Sequence, residues 1–122
     1  MDIRLKRAYE PAEPSDGRRV LIDRLWPRGV SRSQAHLDAW EKDLAPSPEL
    51  REWFAHDPLR FAEFGRRYEA ELRSQRKLLS ALRSRAQRGT LTLVYGARDT
   101  EHNGAVVLAG VLRAGLQRDS QG

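Results

Sequence analysis

The run Leu91-Thr-Leu-Val-Tyr95 constrains this chain more than any other stretch. It is apolar almost throughout and rich in strand formers, the pattern of a central strand buried on both faces. Val20-Leu-Ile22 repeats the pattern in shorter form. Both runs end abruptly in charged, aromatic and turn-forming residues. Asp23, Arg24, Trp26, Pro27, Arg28 and Gly29 follow Ile22; Arg98, Asp99, His102 and Asn103 follow Tyr95. Fixed charges clustered at the end of a core strand are costly unless they are paired or used.

The rest of the chain supplies the elements around these two strands. Ile3 to Tyr9 alternates apolar and polar residues as a half-buried strand does, and Pro11, Pro14 and Ser15-Asp-Gly17 end it. Ser31 reads as the N-cap of a helix with Ala35, Leu37, Trp40 and Leu44 inward. Ser47-Pro48 reads as N-cap plus first helical residue of a short helix through Phe54. Asp57-Pro58 repeats the device and launches a longer helix with Leu59, Phe61, Phe64, Tyr68 and Leu72 on one side. A further helix spans Gln75 to Arg88 and stops at Gly89; a final one spans Glu101 to Arg113, and residues 115–122 read as a polar tail.

Residues 1–114 are long enough for one core and too short for two. The order is strand, strand, several helices, strand, helix. A long helical crossover makes the strands it joins parallel neighbours. The expected fold is therefore α/β: a single small domain with a central, mainly parallel sheet of few strands, a long helical crossover and a C-terminal helix. Ligands in open α/β sheets bind outside the carboxyl ends of the strands. The two charged strand ends are expected to meet at that edge.

Several classes are set aside. The chain has no cysteine, which excludes thiolate catalysis and cysteine-based metal sites. No apolar run reaches the length of a membrane span, and Met1-Asp-Ile-Arg lacks the apolar region of a signal peptide, so a cytoplasmic location without membrane partners is expected. There is no phosphate-loop or dinucleotide fingerprint, no nucleophile elbow and no paired-histidine spacing, so neither cofactor nor metal is expected. The net charge of +5 invites a nucleic-acid reading. Yet 19 of the 22 basic residues are arginine, interleaved with Glu on helix faces, so nucleic-acid binding is expected to be weak at most. The oligomeric state is not legible.

These segments resemble the YeaO-like branch of the bacterial domain-of-unknown-function family 488. The resemblance rests on VLIDRLWPRG at 20–29, LAPSPELREWFAHDP at 44–58 and TLVYGARDTEHNGAVVL at 92–108. It implies a small cytosolic α/β protein and supplies no activity. A longer branch of that family, similar in outline, carries Cys and His after its last strand. This chain has Tyr95 and Asn103 in that region, so no thiol chemistry carries over.

The residues themselves favour a polar pocket for an anionic, nucleotide-like small molecule, used for binding or for acid/base hydrolysis or transfer. Asp23 or His102 is the candidate base. Arg24 and Arg28 are candidate anion clamps, with Arg98 and Asp99 beside them. Trp26 is a candidate ring platform, and Tyr95 and Asn103 are candidate orienting donors. Each has a structural alternative: a buried ion pair for Asp23 and Arg24, a packing lid for Trp26, and helix capping by Asp99 or Thr100. His36 and His56 read as exposed or structural. A second reading is a nucleic-acid-binding or regulatory module using Arg66, Arg67, Arg73 and Arg83. A third is an interaction protein without chemistry.

Overall fold

Thr90–Tyr95 forms β4, inside a four-stranded, wholly parallel sheet of order β1-β4-β2-β3, in which β3 is Ala39–Trp40. The computed structural model describes residues 2–121, with side chains to residue 115. β1 is Asp2–Arg7 and β2 is Arg18–Leu21. They flank β4 in registers Leu5↔Leu93 and Val20↔Leu93, so one buried leucine fixes both pairings. The α/β class, the parallel β2–β4 pair and the long helical crossover all match the sequence reading.

The two faces of the sheet are covered differently. Ile3, Val20, Leu91, Leu93 and Tyr95 point into the main core with Phe54, Phe64, Tyr68, Leu79, Leu82, Leu108 and Leu112. Those residues come from α2 (Pro48–Phe54), α3 (Phe61–Leu72), α4 (Arg76–Arg88) and α5 (Gly104–Gln121). The opposite face carries Ala8, Leu21 and Val94, under a layer of Trp26, Val30, Leu37 and Trp40. That layer is loop and a two-residue strand rather than helix. The indole of Trp40 donates to the Asp23 carbonyl at 2.6 Å, and that of Trp26 donates to the Val30 carbonyl at 2.6 Å. The two rings meet edge to face with centroids 5.4 Å apart.

The helix expected from Ser31 through Leu44 is corrected. Ser31 does cap α1, in a capping box with Gln34, but α1 is only Arg32–Ala35. His36 turns left-handed at φ 45, and the chain then forms β3, Ala39–Trp40, beside Val20 and Leu21. Backbone bonds from Asp38 to Arg19 and from Glu41 to Leu21 hold this strand, so its identity comes from its partner and not from its own pattern.

Local signals elsewhere read well. Ser47 accepts from the Leu50 N–H and Pro48 opens α2, as expected. Asp57-Pro58 starts a short 3₁₀ turn, Pro58–Arg60, from which α3 continues. The last helix begins later and runs further than expected, from Gly104 through Gln121. The segment read as a tail therefore has helical backbone as far as residue 121, while the side chains of 116–121 and all of residue 122 lie outside the described residues.

Candidate functional site at the carboxyl edge of the sheet

The two conspicuous segments meet. Ile22 donates to the Val94 carbonyl at 3.1 Å, and the Asp23 carboxylate accepts the Gly96 N–H at 2.8 Å. A β-carbon on Gly96 would lie 3.2 Å from that carboxylate oxygen, so glycine there permits the close approach. Burial raises the Asp23 carboxyl above its usual range, opposed by the Gly96 bond and by the charges of Arg51 and His56. The same carboxylate, with Glu71, reinforces the effect of burial in holding the Tyr68 hydroxyl far above the ordinary phenol range. Tyr68 donates to the Leu44 carbonyl from within the core.

Among the described residues, no hydrogen bond or ion pair links Asp23 to Arg24 or to His102. Arg24 is half-buried, and its Nε has no partner among the described residues. Arg28 and Arg98 are exposed. Trp26 spends its indole N–H on the Val30 carbonyl and packs edge to face with Trp40, with the Arg32 guanidinium 4.8 Å from the centre of its ring. Tyr95 is buried; burial and the Glu10 charge raise its hydroxyl, with Arg7 and Asn103 opposing.

The segment after β4 builds its own turn. Asp99 accepts the N–H groups of Glu101 and His102 at 2.9 and 3.0 Å and pairs with the His102 ring at 3.0 Å. The first of these bonds is the main reason the Asp99 carboxyl lies below its usual range. His102 also stands edge-on to Phe61, 5.2 Å between centroids. Asn103 accepts the Val106 N–H at 3.0 Å, so Asn103 caps α5 where Asp99 or Thr100 was expected. Its amide also donates to the Asp99 carbonyl at 2.8 Å. Among the described residues, no three His, Asp or Glu side chains form a metal-binding group.

Sequence reasoning set His56 aside, yet its charge reaches Asp23. It follows α2 in a turn where Ala55 and His56 are both left-handed, at φ 47 and φ 56. The available signal was the run LREWFAHDP, whose His lies between a helix end and the Asp57 cap.

Three of the arginines on the long helices are engaged. Arg66 and Arg67 pair with Glu63, and Arg67 also lies 4.2 Å over the Trp53 ring. Arg83 donates to the Val111 and Leu112 carbonyls of α5. Arg73 and Arg76 remain exposed beside a groove of about 810 Å³ between α3, α4 and α5. No helix among the described residues is long and apolar enough to cross a membrane.

A family model described as "Inactive DUF488-N3 subclade" matches residues 2–122. The chain belongs to the DUF488 family. It is 45% identical to the uncharacterized protein YeaO of Escherichia coli over 93% of this chain and 99% of that one. It is 44% identical to the uncharacterized proteins Mb3100c of Mycobacterium bovis and Rv3073c of Mycobacterium tuberculosis, over 90% of this chain and 92% of theirs. No solved structure matches it.

Proposed function

We propose that this DUF488 member binds a small anion at the carboxyl edge of its sheet and does so without turnover. The observation that carries the reading is the Ala55–His56 turn. Two successive residues bearing side chains are left-handed, at φ 47 and φ 56. Such conformations cost on the order of 1 kcal/mol or more apiece, and they persist where function or packing demands them. This turn keeps His56, with Arg51 of the last turn of α2, within electrostatic reach of Asp23.

The surroundings support an anion. The unpartnered Arg24 Nε is a donor without an acceptor. Arg28 and Arg98 add positive charge on the two segments that meet at Gly96. Asp23, with its carboxyl raised by burial, takes up a proton more readily than an ordinary carboxylate and then donates to the same ligand. Nucleotide-like phosphates are the first ligands to test.

Binding is favoured over catalysis for two reasons. Asp99, His102 and Asn103, the best acid/base candidates on the second segment, are spent on closing a turn and capping α5. The family description, inactive, agrees. Calorimetric titration with nucleoside monophosphates, inorganic phosphate and small carboxylates tests this. At least one should bind, His56→Gln and Arg51→Gln should each weaken it by about tenfold or more, and the ligand should be recovered unchanged. Binding indifferent to both substitutions, or conversion of the ligand, would overturn the reading.

A further inference from the structure

The β3 edge of the sheet is incompletely covered. β3 has only two residues, and Ala39 offers a small side chain beside Val20. A cavity of about 460 Å³ lies between this edge and α4. That volume falls within the usual size of small-molecule sites, about 300–1,000 Å³. Its floor is apolar, made by Val20, Ala39, Leu78 and Leu82. Its rim carries Arg18, Arg85 and Arg88 against a single carboxylate, Glu41.

Among the described residues the three are not alone in making no hydrogen bond or ion pair, since Arg24, Arg28 and Arg98 make none either, but these three ring an apolar floor. Arg4, Arg7, Arg19, Arg60, Arg66, Arg67, Arg83 and Arg113 each donate to a carboxylate or a carbonyl. Arg18, Arg85 and Arg88 make no hydrogen bond or ion pair among the described residues. Arg85 and Arg88 lie in the last turn of α4, where the helix dipole favours cations. That does not account for Arg18, which comes from β2, nor for the apolar floor below. Gly89 leaves room for the group: its β-carbon would lie 3.3 Å from Arg85 Nη1.

We propose that this cavity binds a small amphipathic anion, a carboxylate or phosphate monoester carried on a short hydrocarbon or aromatic body. The guanidinium groups of Arg18, Arg85 and Arg88 hold the head, and Val20, Ala39, Leu78 and Leu82 receive the body. Three cations around one hollow repel one another, and an anion relieves that repulsion while the body dries the floor. The site is separate from the carboxyl-edge cluster, so neither reading depends on the other.

The test uses the isotope-labelled full chain, titrated with hexyl phosphate and hexanoate and followed by amide chemical shifts. Inorganic phosphate and 1-hexanol serve as the two half-ligands. Saturable shifts are expected at Val20, Ala39 and Leu82, and not at His56 or Gly96. Each half-ligand should bind about tenfold or more weakly than the whole, and so should hexyl phosphate to Arg85→Gln and to Arg88→Gln. Preference between the two whole ligands assigns the head group. No saturable shift with either ligand overturns the proposal. So do binding retained by the Arg85→Gln/Arg88→Gln double variant and shifts centred on His56 and Gly96.

Discussion

The Asp23 carboxylate accepts the Gly96 N–H at 2.8 Å, across 73 residues of chain. This bond ties the end of one strand to the end of its neighbour, and it is made by an acid that burial disfavours in its charged form. A carboxyl with a raised folded-state pKa binds its proton more tightly folded than unfolded. Stability therefore falls as pH rises from the ordinary value of 3.8 through the folded value, and the deficit persists at neutral pH. Asp23→Asn keeps an acceptor for Gly96 and removes the deficit. It should be more stable than wild type in urea at pH 7, with the advantage disappearing at pH 3. An equal advantage at both pH values would show that the charge of Asp23 is not its cause.

Arg24 and Leu93 should respond in opposite ways. Leu93 is fully buried where β1, β4 and β2 meet, so Leu93→Ala should cost about 2–5 kcal/mol. Arg24 pairs with no carboxylate among the described residues, and its Nε is already unsatisfied. Arg24→Ala should cost about 1 kcal/mol or less. Equilibrium denaturation of both variants checks this, and a loss at Arg24 as large as that at Leu93 would make Arg24 part of the scaffold.

The polar cluster on the loop-covered face should be the opposite case. Arg19 is 3% exposed; it donates to Asp16 at 2.6 Å and twice to the Ala35 carbonyl, at 3.1 and 2.9 Å. Arg19→Met takes one of two cations from the buried Asp16 carboxylate, which keeps Lys6, and both side-chain donors from the Ala35 carbonyl, and should cost about 1.5–3 kcal/mol. Burial tends to raise Asp16, but bonds from the Glu13 N–H, Lys6 and Arg19 outweigh it and leave the carboxyl below 3.8. Its contribution is present above 3.8 and is lost as pH falls through the folded value. Acid titration of stability should be flatter in Asp16→Asn than in wild type over that window.

Two glycines should give opposite signs. Gly110 lies in α5 with nothing near the place of a β-carbon, so Gly110→Ala should add roughly 0.5–1 kcal/mol through helix propensity. Gly17 has φ 62, and a β-carbon there would collide with the Thr90 carbonyl oxygen. Gly17→Ala should therefore destabilise by more than about 1 kcal/mol. Melting temperatures of the two variants should move apart; movement in the same direction would contradict the backbone argument.

Much of this fold is legible in local chemistry. Val20–Ile22 and Leu91–Tyr95 announce themselves by unbroken apolar character, and Ser47-Pro48 by a cap whose geometry depends on its own neighbours. β3 is illegible because Ala39–Trp40 sits in helical spacing, and only bonds to Arg19 and Leu21 make it a strand. The candidate site divides in the same way. The meeting of Asp23 with Gly96 follows from strand order. The reach of His56 toward Asp23 depends on a left-handed turn at Ala55, which no residue preference announces. Asn103 is the reverse case: a side chain that looked free for a ligand is consumed by the helix it caps.

Among the described residues β4 is the last strand in chain order and the one that both β1 and β2 need. On the ribosome, β1 emerges first and has no partner until Tyr95 has cleared the exit tunnel. The nascent chain therefore carries unpaired backbone and bare apolar faces from the emergence of β1 until that of β4, the condition that recruits chaperones and invites aggregation. Stalled chains ending before Thr90 should be protease-sensitive throughout. Resistance should appear abruptly once β4 and enough of α5 to cover it have emerged, which makes the emergence of these two elements the step that commits this domain to its fold.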